Sequence, residues 1–394
     1  MKRVVIFSTN YFPNVAGAEI AIDEIAKRAD GIEFHLITTR FSRKVPAKER
    51  IGNVIVHRVG VGSGFAFFDK LLSPFFGAFK AYQLDKKKPV DLFWCMMVTF
   101  TCGAPYILNT LRSWRKIKIV LTLQEGDSEE HLTKRHLGLN GLAWKLALKR
   151  ADVLTVISTY LGKRAKRLGY SGPIHLIPNA VNISHFSQEY SKDILKDLEE
   201  KLGKKKGDVF MITTSRLSEK NALDDVIEAV ALLPKNIHFI VLGIGEDESK
   251  LKRLADDRGV GSRVHFVGYV GQDEIPKYLK ISEIFIRPSR SEGFGISFVE
   301  AMAAEIPVIS TQEGGIADFL FDAKRNPQTN STGWAVDKDS PQQIADAVNR
   351  ILENRDEVGK TVSNAKKMVA ENYDWERIAR DMQNKVFAPL TGLS

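Results

Sequence analysis

Cysteine is nearly absent from this chain of 394 residues: Cys95 and Cys102 are the whole supply. Two thiols cannot staple a fold of this size, so a disulfide-framed scaffold is excluded and a reducing, cytoplasmic setting is the simpler expectation. The eight histidines show neither i, i+4 nor Cys-His metal spacing, so no zinc motif is present. No apolar run approaches the roughly 20 residues that span a bilayer. Met1-Lys-Arg runs straight into Val4-Val5-Ile6-Phe7, too short for a signal-peptide core. No repeat recurs at a fixed period.

What remains is ordinary globular material: 44% hydrophobic and 27% charged residues, which excludes a mainly disordered or fibrous chain. At roughly 150 residues per domain the length suggests two or three domains. Charge is divided unevenly. Residues 1–185 carry 28 Lys+Arg against 14 Asp+Glu, or +14, while residues 186–394 carry 29 against 34, or −5. The overall +9 therefore belongs to the first half, and the two halves should meet different partners, one of them anionic.

Both halves alternate short β-branched runs with longer helical patterns, the signature of parallel sheets with crossover helices. The stretch 182–206 is polar, holds no apolar strand and forms the natural boundary. The expected fold is α/β, two doubly wound parallel-sheet domains facing a central cleft where the strands' carboxyl ends meet and ligands bind.

Four segments could carry chemistry. In Arg287-Pro-Ser-Arg-Ser-Glu292-Gly-Phe-Gly295-Ile-Ser-Phe-Val-Glu300, a strand gives way to a loop and then a helix. Gly293 and Gly295 leave main chain open beside free helix-start N–H groups, an arrangement suited to phosphate. Glu300, one turn in, is placed to accept hydrogen bonds from a ribose or sugar diol. The same glycines also read as plain turn chemistry. In Ser215-Arg216-Leu-Ser-Glu-Lys220, two cations after a strand suit a leaving diphosphate. They equally suit surface pairs with Glu219, Asp224 or Asp225. Gly17 opens the first helix and could meet a phosphate or simply make a turn. Ile177-Pro-Asn179-Ala-Val-Asn182 reads first as a structural turn.

In this order, the four segments resemble the retaining GT-B glycosyltransferases of glycosyltransferase family 4 over nearly the whole chain. Glu292-Gly-Phe-Gly with Glu300-Ala-Met matches the family's Glu-x7-Glu signature, continued by Pro307-Val-Ile and Gly314-Gly315. Ser215-Arg-Leu with Lys220, Ile177-Pro-Asn-Ala-Val-Asn with Phe186, and Phe12-Pro with Ala16-Gly-Ala-Glu19 match its other landmarks. The resemblance implies two Rossmann-like domains, an acceptor-side 1–185 and a donor-binding 186–373, with 374–394 crossing back onto the first. It implies transfer of a sugar from a UDP- or GDP-sugar to a glycan, lipid-linked or small-molecule acceptor, with no metal and no other cofactor. Residue by residue, Glu300 would hold the ribose and Glu292 would face the transferred sugar. Gly293, Phe294, Gly295 and Ile296 would present main chain to the diphosphate. Arg216 and Lys220 would hold the leaving phosphates, with Gly17 meeting them from the other domain. Gly268 and Tyr269 would lie against the nucleobase. Gln124 stands where the family often has a histidine; it can hydrogen-bond a sugar hydroxyl but cannot share a proton. Ser215, Asn221 and Ala180 replace common glycines, and Asn182 an aspartate.

The alternatives on this fold are a sugar phosphorylase or an epimerase, and outside it a non-catalytic polyanion binder. The intact Glu292, Glu300, Arg216 and Lys220 set argues against the last. Two further patterns are set aside. Gly243-Ile-Gly245 lacks the third glycine of a dinucleotide loop and is followed by Glu246-Asp-Glu. Asp337-Lys-Asp339 spells a metal-binding Asp-x-Asp, but far from the donor segments. The basic first half is read as attraction to an anionic membrane surface or a phosphate-linked acceptor, not to nucleic acid. Phe65–Tyr82, followed by Lys86-Lys-Lys88, has the look of an interfacial helix, but Pro74 should split it into two short pieces. Packing on the first sheet is the preferred expectation there.

Overall fold

The computed structural model describes residues 1–13, 16–112, 114–126 and 139–393. They form two units: Met1–Asn179 with Trp375–Ser394, and Ala180–Asp374. The first crossing thus falls just ahead of the expected 185/186 boundary. Divided this way, the first unit carries 31 Lys+Arg against 16 Asp+Glu, or +15, and the second 26 against 32, or −6. The asymmetry sharpens.

The first unit holds β1 (Lys2–Phe7), β2 (Ile32–Thr39), β3 (Lys48–Ile51), β4 (Val54–Val59), β5 (Leu92–Met96), β6 (Ile119–Leu123), β7 (Val153–Val156) and β8 (Ile174–Leu176). They order as β3-β4-β2-β1-β5-β6-β7-β8, parallel throughout except for the antiparallel edge pair β3–β4. The sequence reading missed β3 because Lys-Glu-Arg-Ile is a charged, solvated edge with no apolar run. The second unit holds β9 (Val209–Thr214), β10 (Ile237–Leu242), β11 (Val264–Gly268), β12 (Ile284–Arg287), β13 (Val308–Ser310) and β14 (Trp334–Ala335). Their order is β11-β10-β9-β12-β13-β14, all parallel. Central strands such as Val4-Val5-Ile6-Phe7 are buried on both faces, as continuous apolar runs require. The winding reverses between β1 and β5 in one sheet and between β9 and β12 in the other, so the loops beyond those four strands are where ligands belong.

The helix α1 (Gly17–Arg28) begins with the Glu19 carboxylate accepting from the Ala16 N–H at 2.9 Å, a cap that fixes the loop before it. The carboxyl-terminal segment joins this unit: Arg28 Nε donates to Glu376 at 2.6 Å, and Phe387 packs its ring 5.3 Å from Trp94 and 5.8 Å from Phe34. The polar stretch 182–206 holds no strand, as expected, but it does contain a helix, Lys192–Lys201, that buries none of its residues.

Phe65–Lys88 packs on the first sheet as expected, a Cβ on its Gly77 standing 3.6 Å from Ile37 of β2, but the expected break at Pro74 is overturned. The segment forms one helix, α2 (Ala66–Lys87), running straight through Pro74. Proline removes the N–H that residue 70's carbonyl would accept. The Ser73 hydroxyl donates to that carbonyl instead, at 2.7 Å, and the helix continues. The aromatic face itself does not pack on the sheet, for the large side chains face solvent. Among the described residues no helix is long and apolar enough to cross a membrane.

Candidate functional site

In the second unit the site is organised around a residue the sequence reading quoted without assigning a role. Arg287 closes β12, the lone charge after Ile-Phe-Ile, and is almost completely buried. Its Nη2 donates to Glu292 at 2.8 Å and its Nη1 to the Ser297 hydroxyl at 3.0 Å and the Thr214 carbonyl at 3.3 Å. Its guanidinium lies 4.2 Å from the Phe298 ring centre. Burial disfavours its charge and holds its guanidinium below the usual range, an effect that Glu292 and Glu300 offset only in part. The signal was available: one arginine at the carboxyl end of an otherwise apolar central strand.

Glu300 is buried in the Ile296–Ala303 helix, where burial pushes its carboxyl up to about 7 while the Arg287 charge pulls the other way. A buried carboxylate there is an acceptor with two oxygens to offer. Glu292 is held through its main chain: Gly315 N–H donates to its carbonyl at 3.0 Å. A Cβ on Gly314 would stand 2.0 Å from that same carbonyl oxygen, so only glycine fits. Its other carboxylate oxygen takes the Gly293 N–H at 2.9 Å. Gly295, at φ +86°, caps the helix, and a Cβ there would meet the Phe298 ring at 2.5 Å. The Phe294 side chain packs between Phe319 and Tyr373 and serves the core, which leaves only main chain at 294–296 for a ligand. The first N–H groups of that helix have no intrahelical partner and sit at its positive end.

Beyond β9, Arg216 is exposed and bound by Glu246 at 2.9 and 3.1 Å, not by the acidic neighbours weighed from sequence. Asp224 and Asp225 are engaged by Arg290, whose Nη1 and Nη2 reach them at 2.9 and 3.0 Å. Arg290 also donates its main-chain N–H to the Lys220 carbonyl at 2.7 Å and Nη1 to the Glu219 carbonyl at 2.8 Å. One arginine therefore ties the loop carrying Lys220 to the loop carrying Glu292. Asn221 completes the turn by donating to the Arg216 carbonyl at 2.6 Å. Gly243 and Gly245 have a packing reason: a Cβ on either would lie 1.8 and 2.1 Å from the carbonyls of Ser215 and Leu217. Gly268, at φ +85°, accepts from the Gly243 N–H at 2.8 Å, beside an exposed Tyr269. Asp339 is bound by Arg290 and Asp337 by Arg325, and among the described residues no three His, Cys, Asp or Glu converge as a metal site.

In the first unit Gln124 and Asn179 exchange amide hydrogen bonds at 3.2 and 3.3 Å. A Cβ on Gly17 would stand 3.5 Å from the Asn179 amide nitrogen, so these three residues share one place. Asn179 was read as a turn residue; its partner lies in a loop far off in sequence. Asn14 and Val15, in the loop ahead of Gly17, lie outside the described residues. The fully buried Glu125, its carboxyl raised by burial, accepts from the main-chain N–H of Gln124 at 2.9 Å and Val98 at 2.6 Å.

Residues 196–368 match the family described as glycosyl transferases group 1, and residues 15–185 the one described as glycosyltransferase family 4. Among curated relatives, a GDP-mannose-dependent alpha-(1-6)-phosphatidylinositol monomannoside mannosyltransferase of Mycobacterium tuberculosis is 28% identical over 239 residues. That match covers 58% of this chain and 60% of the enzyme, so less than two thirds of the relative is spanned. Among solved structures, sucrose-phosphate synthase from Thermosynechococcus elongatus superposes with a TM-score of 0.80 at 19% identity, covering 100% of both chains. Anabaena HepE in complex with UDP-glucose gives 0.77 at 19% identity, covering 98% of this chain and 100% of that one.

Proposed function

The chain belongs to glycosyltransferase family 4 and has the GT-B fold of two Rossmann-like domains, and on that premise we propose that it is a retaining, metal-independent glycosyltransferase. The donor is a UDP- or GDP-sugar, and the acceptor a glycan or a lipid-linked sugar reached from the cytoplasmic side. The observation that carries this reading is the Glu292–Arg287–Glu300 constellation at the start of a helix. It puts a buried acceptor for ribose hydroxyls one turn from main-chain donors for phosphate. The names of the relatives support both nucleobases, GDP in the mannosyltransferase and UDP in HepE.

Binding brings the donor diphosphate to the N–H groups at 294–296, while Lys220 and Arg216 supply positive charge as the bond from the sugar to phosphate breaks. The leaving phosphate oxygen takes the acceptor's proton on the same face, which retains the anomeric configuration. Glu292, already oriented by Arg287, faces the sugar. Incubation with UDP- and GDP-sugars in the presence of a chelator tests this. The product should carry the donor's anomeric configuration, and an inverted product or full loss with chelator overturns it.

Two results are expected at the donor site. Donor hydroxyls need the ionised Glu300, whose carboxyl sits at about 7. The donor dissociation constant should therefore be flat above pH 8 and rise toward tenfold per pH unit below 7. Calorimetry showing no change between pH 8 and 6 would remove Glu300 from that role. Glu246→Gln should free Arg216 from its exposed pair and tighten donor binding by about two- to fivefold, the scale of a surface ion pair. Weaker binding in that variant would mean that Arg216 needs Glu246 for its position.

A further inference from the structure

The helix α2 is built inside out. Its inward face is Asp69, Ser73, Gly77, Ala78, Ala81, Leu84 and Asp85, mostly small or polar. Outward stand Phe67, Phe68, Leu71, Leu72, Phe75, Phe76 and Phe79, with Phe67, Phe75 and Phe79 exposed by 67%, 63% and 62%. Each inward polar side chain has a partner, although one Asp69 carboxylate oxygen, Oδ2, is buried without one among the described residues. Ser73 meets the Thr101 hydroxyl at 3.2 Å, Asp69 accepts from the Ser63 N–H at 3.1 Å, and Asp85 takes Arg115 at 2.8 Å. This orientation is thus fixed by the fold and is not a packing slip.

The apolar face continues past the helix. Phe100, next to the Thr101 that meets Ser73, is exposed as well. Toward the carboxyl-terminal end of α2, the Arg112 guanidinium lies 5.4 Å from the Tyr82 ring and 5.9 Å from that of Trp114, itself 76% exposed just beyond α3 (Gly103–Leu111). A contiguous patch of this kind marks an interaction surface.

Charge names the partner. Both acidic residues of α2 are buried, so the charges on its solvent side are all lysines, with Lys86 and Lys87 exposed at its carboxyl-terminal end, while Lys88 just beyond it is paired with Glu33 at 3.2 Å. A second copy of this chain docked through the same face would set lysine against lysine with no carboxylate to answer. An anionic headgroup layer answers them all, and Tyr and Trp rings settle at that depth. We infer that the exposed face of α2, with Trp114 and Arg112 beside it, docks in the interfacial plane of an anionic lipid bilayer. Lysines and buried aspartates make the helix unfit to span one.

Co-sedimentation of the full chain with vesicles tests this without any donor, so its outcome is independent of the transferase reading. Equimolar phosphatidylglycerol–phosphatidylcholine vesicles should bind the protein at low salt, and pure phosphatidylcholine vesicles at least about tenfold less. The triple variant Phe67→Ser, Phe75→Ser, Phe79→Ser should lose at least about tenfold in partitioning, with unchanged thermal melting and unchanged nucleotide binding. Three results overturn the inference: a variant that partitions like the wild type, equal binding to neutral vesicles, or no binding to the anionic vesicles at low salt, where a dimer that the variant abolishes would reassign the face to a second copy.

Discussion

Replacing Arg287 by methionine should destabilise the second unit by about 3–5 kcal/mol, the scale for removing one partner of a buried ion pair. The side chain is nearly volume-matched, so the loss is electrostatic. Glu292 loses its 2.8 Å partner, the Thr214 carbonyl and Ser297 hydroxyl lose their donor, and Glu300 loses the charge that holds its carboxyl down. Two measurements separate this from simple loss of packing. The pH below which donor binding weakens should move up from about 7, because Glu300 then ionises later. Arg287→Lys should recover part of that shift by restoring charge, yet little of the stability, because an ammonium cannot reach three acceptors as a fork does. A methionine variant that melts with the wild type would show that Arg287 does not hold the site together.

Lys220→Ala should cut turnover by about 10²–10³ with the melting temperature unchanged. The loop that carries Lys220 is fixed by main chain whatever its side chain meets: the Lys220 carbonyl is held by Arg290 and the turn is closed by Asn221. Truncating the side chain leaves those bonds in place, so the loop should keep its path. The effect should therefore fall on kcat, where charge develops, more than on donor affinity. Near-normal turnover would remove Lys220 from the reaction, and a falling melting temperature would reassign it to structure.

Much of this was legible in the sequence because it is local. Glu292 and Glu300, with glycines between, lie within one loop–helix turn, and their spacing alone places them. The alternation of apolar runs and helical patterns gave the two parallel sheets for the same reason. What escaped depends on partners brought from elsewhere. Arg216 finds Glu246 across two strand ends, Gln124 finds Asn179, and Arg290 gathers Asp224, Asp225 and Asp339. No spacing rule announces those pairs. The α2 misreading was of another kind. Pro74 was weighed by its missing donor, while the neighbouring Ser73 hydroxyl supplies one. The helix does pack on the sheet, but through its small residues, because periodicity fixes a face without saying which way it points.

The chain crosses between the units twice, at Asn179/Ala180 and at Asp374/Trp375. In topological terms the second unit is an insertion within the first. Residues 180–374 can close their own six-stranded sheet while the first unit still lacks the segment that covers Phe34 and Trp94. The unit that lies later in the chain is therefore complete at an earlier residue than the unit that begins it. Limited proteolysis of the free chain truncated after residue 374 should find the second unit resistant and the first still open; equal protection of both would contradict this.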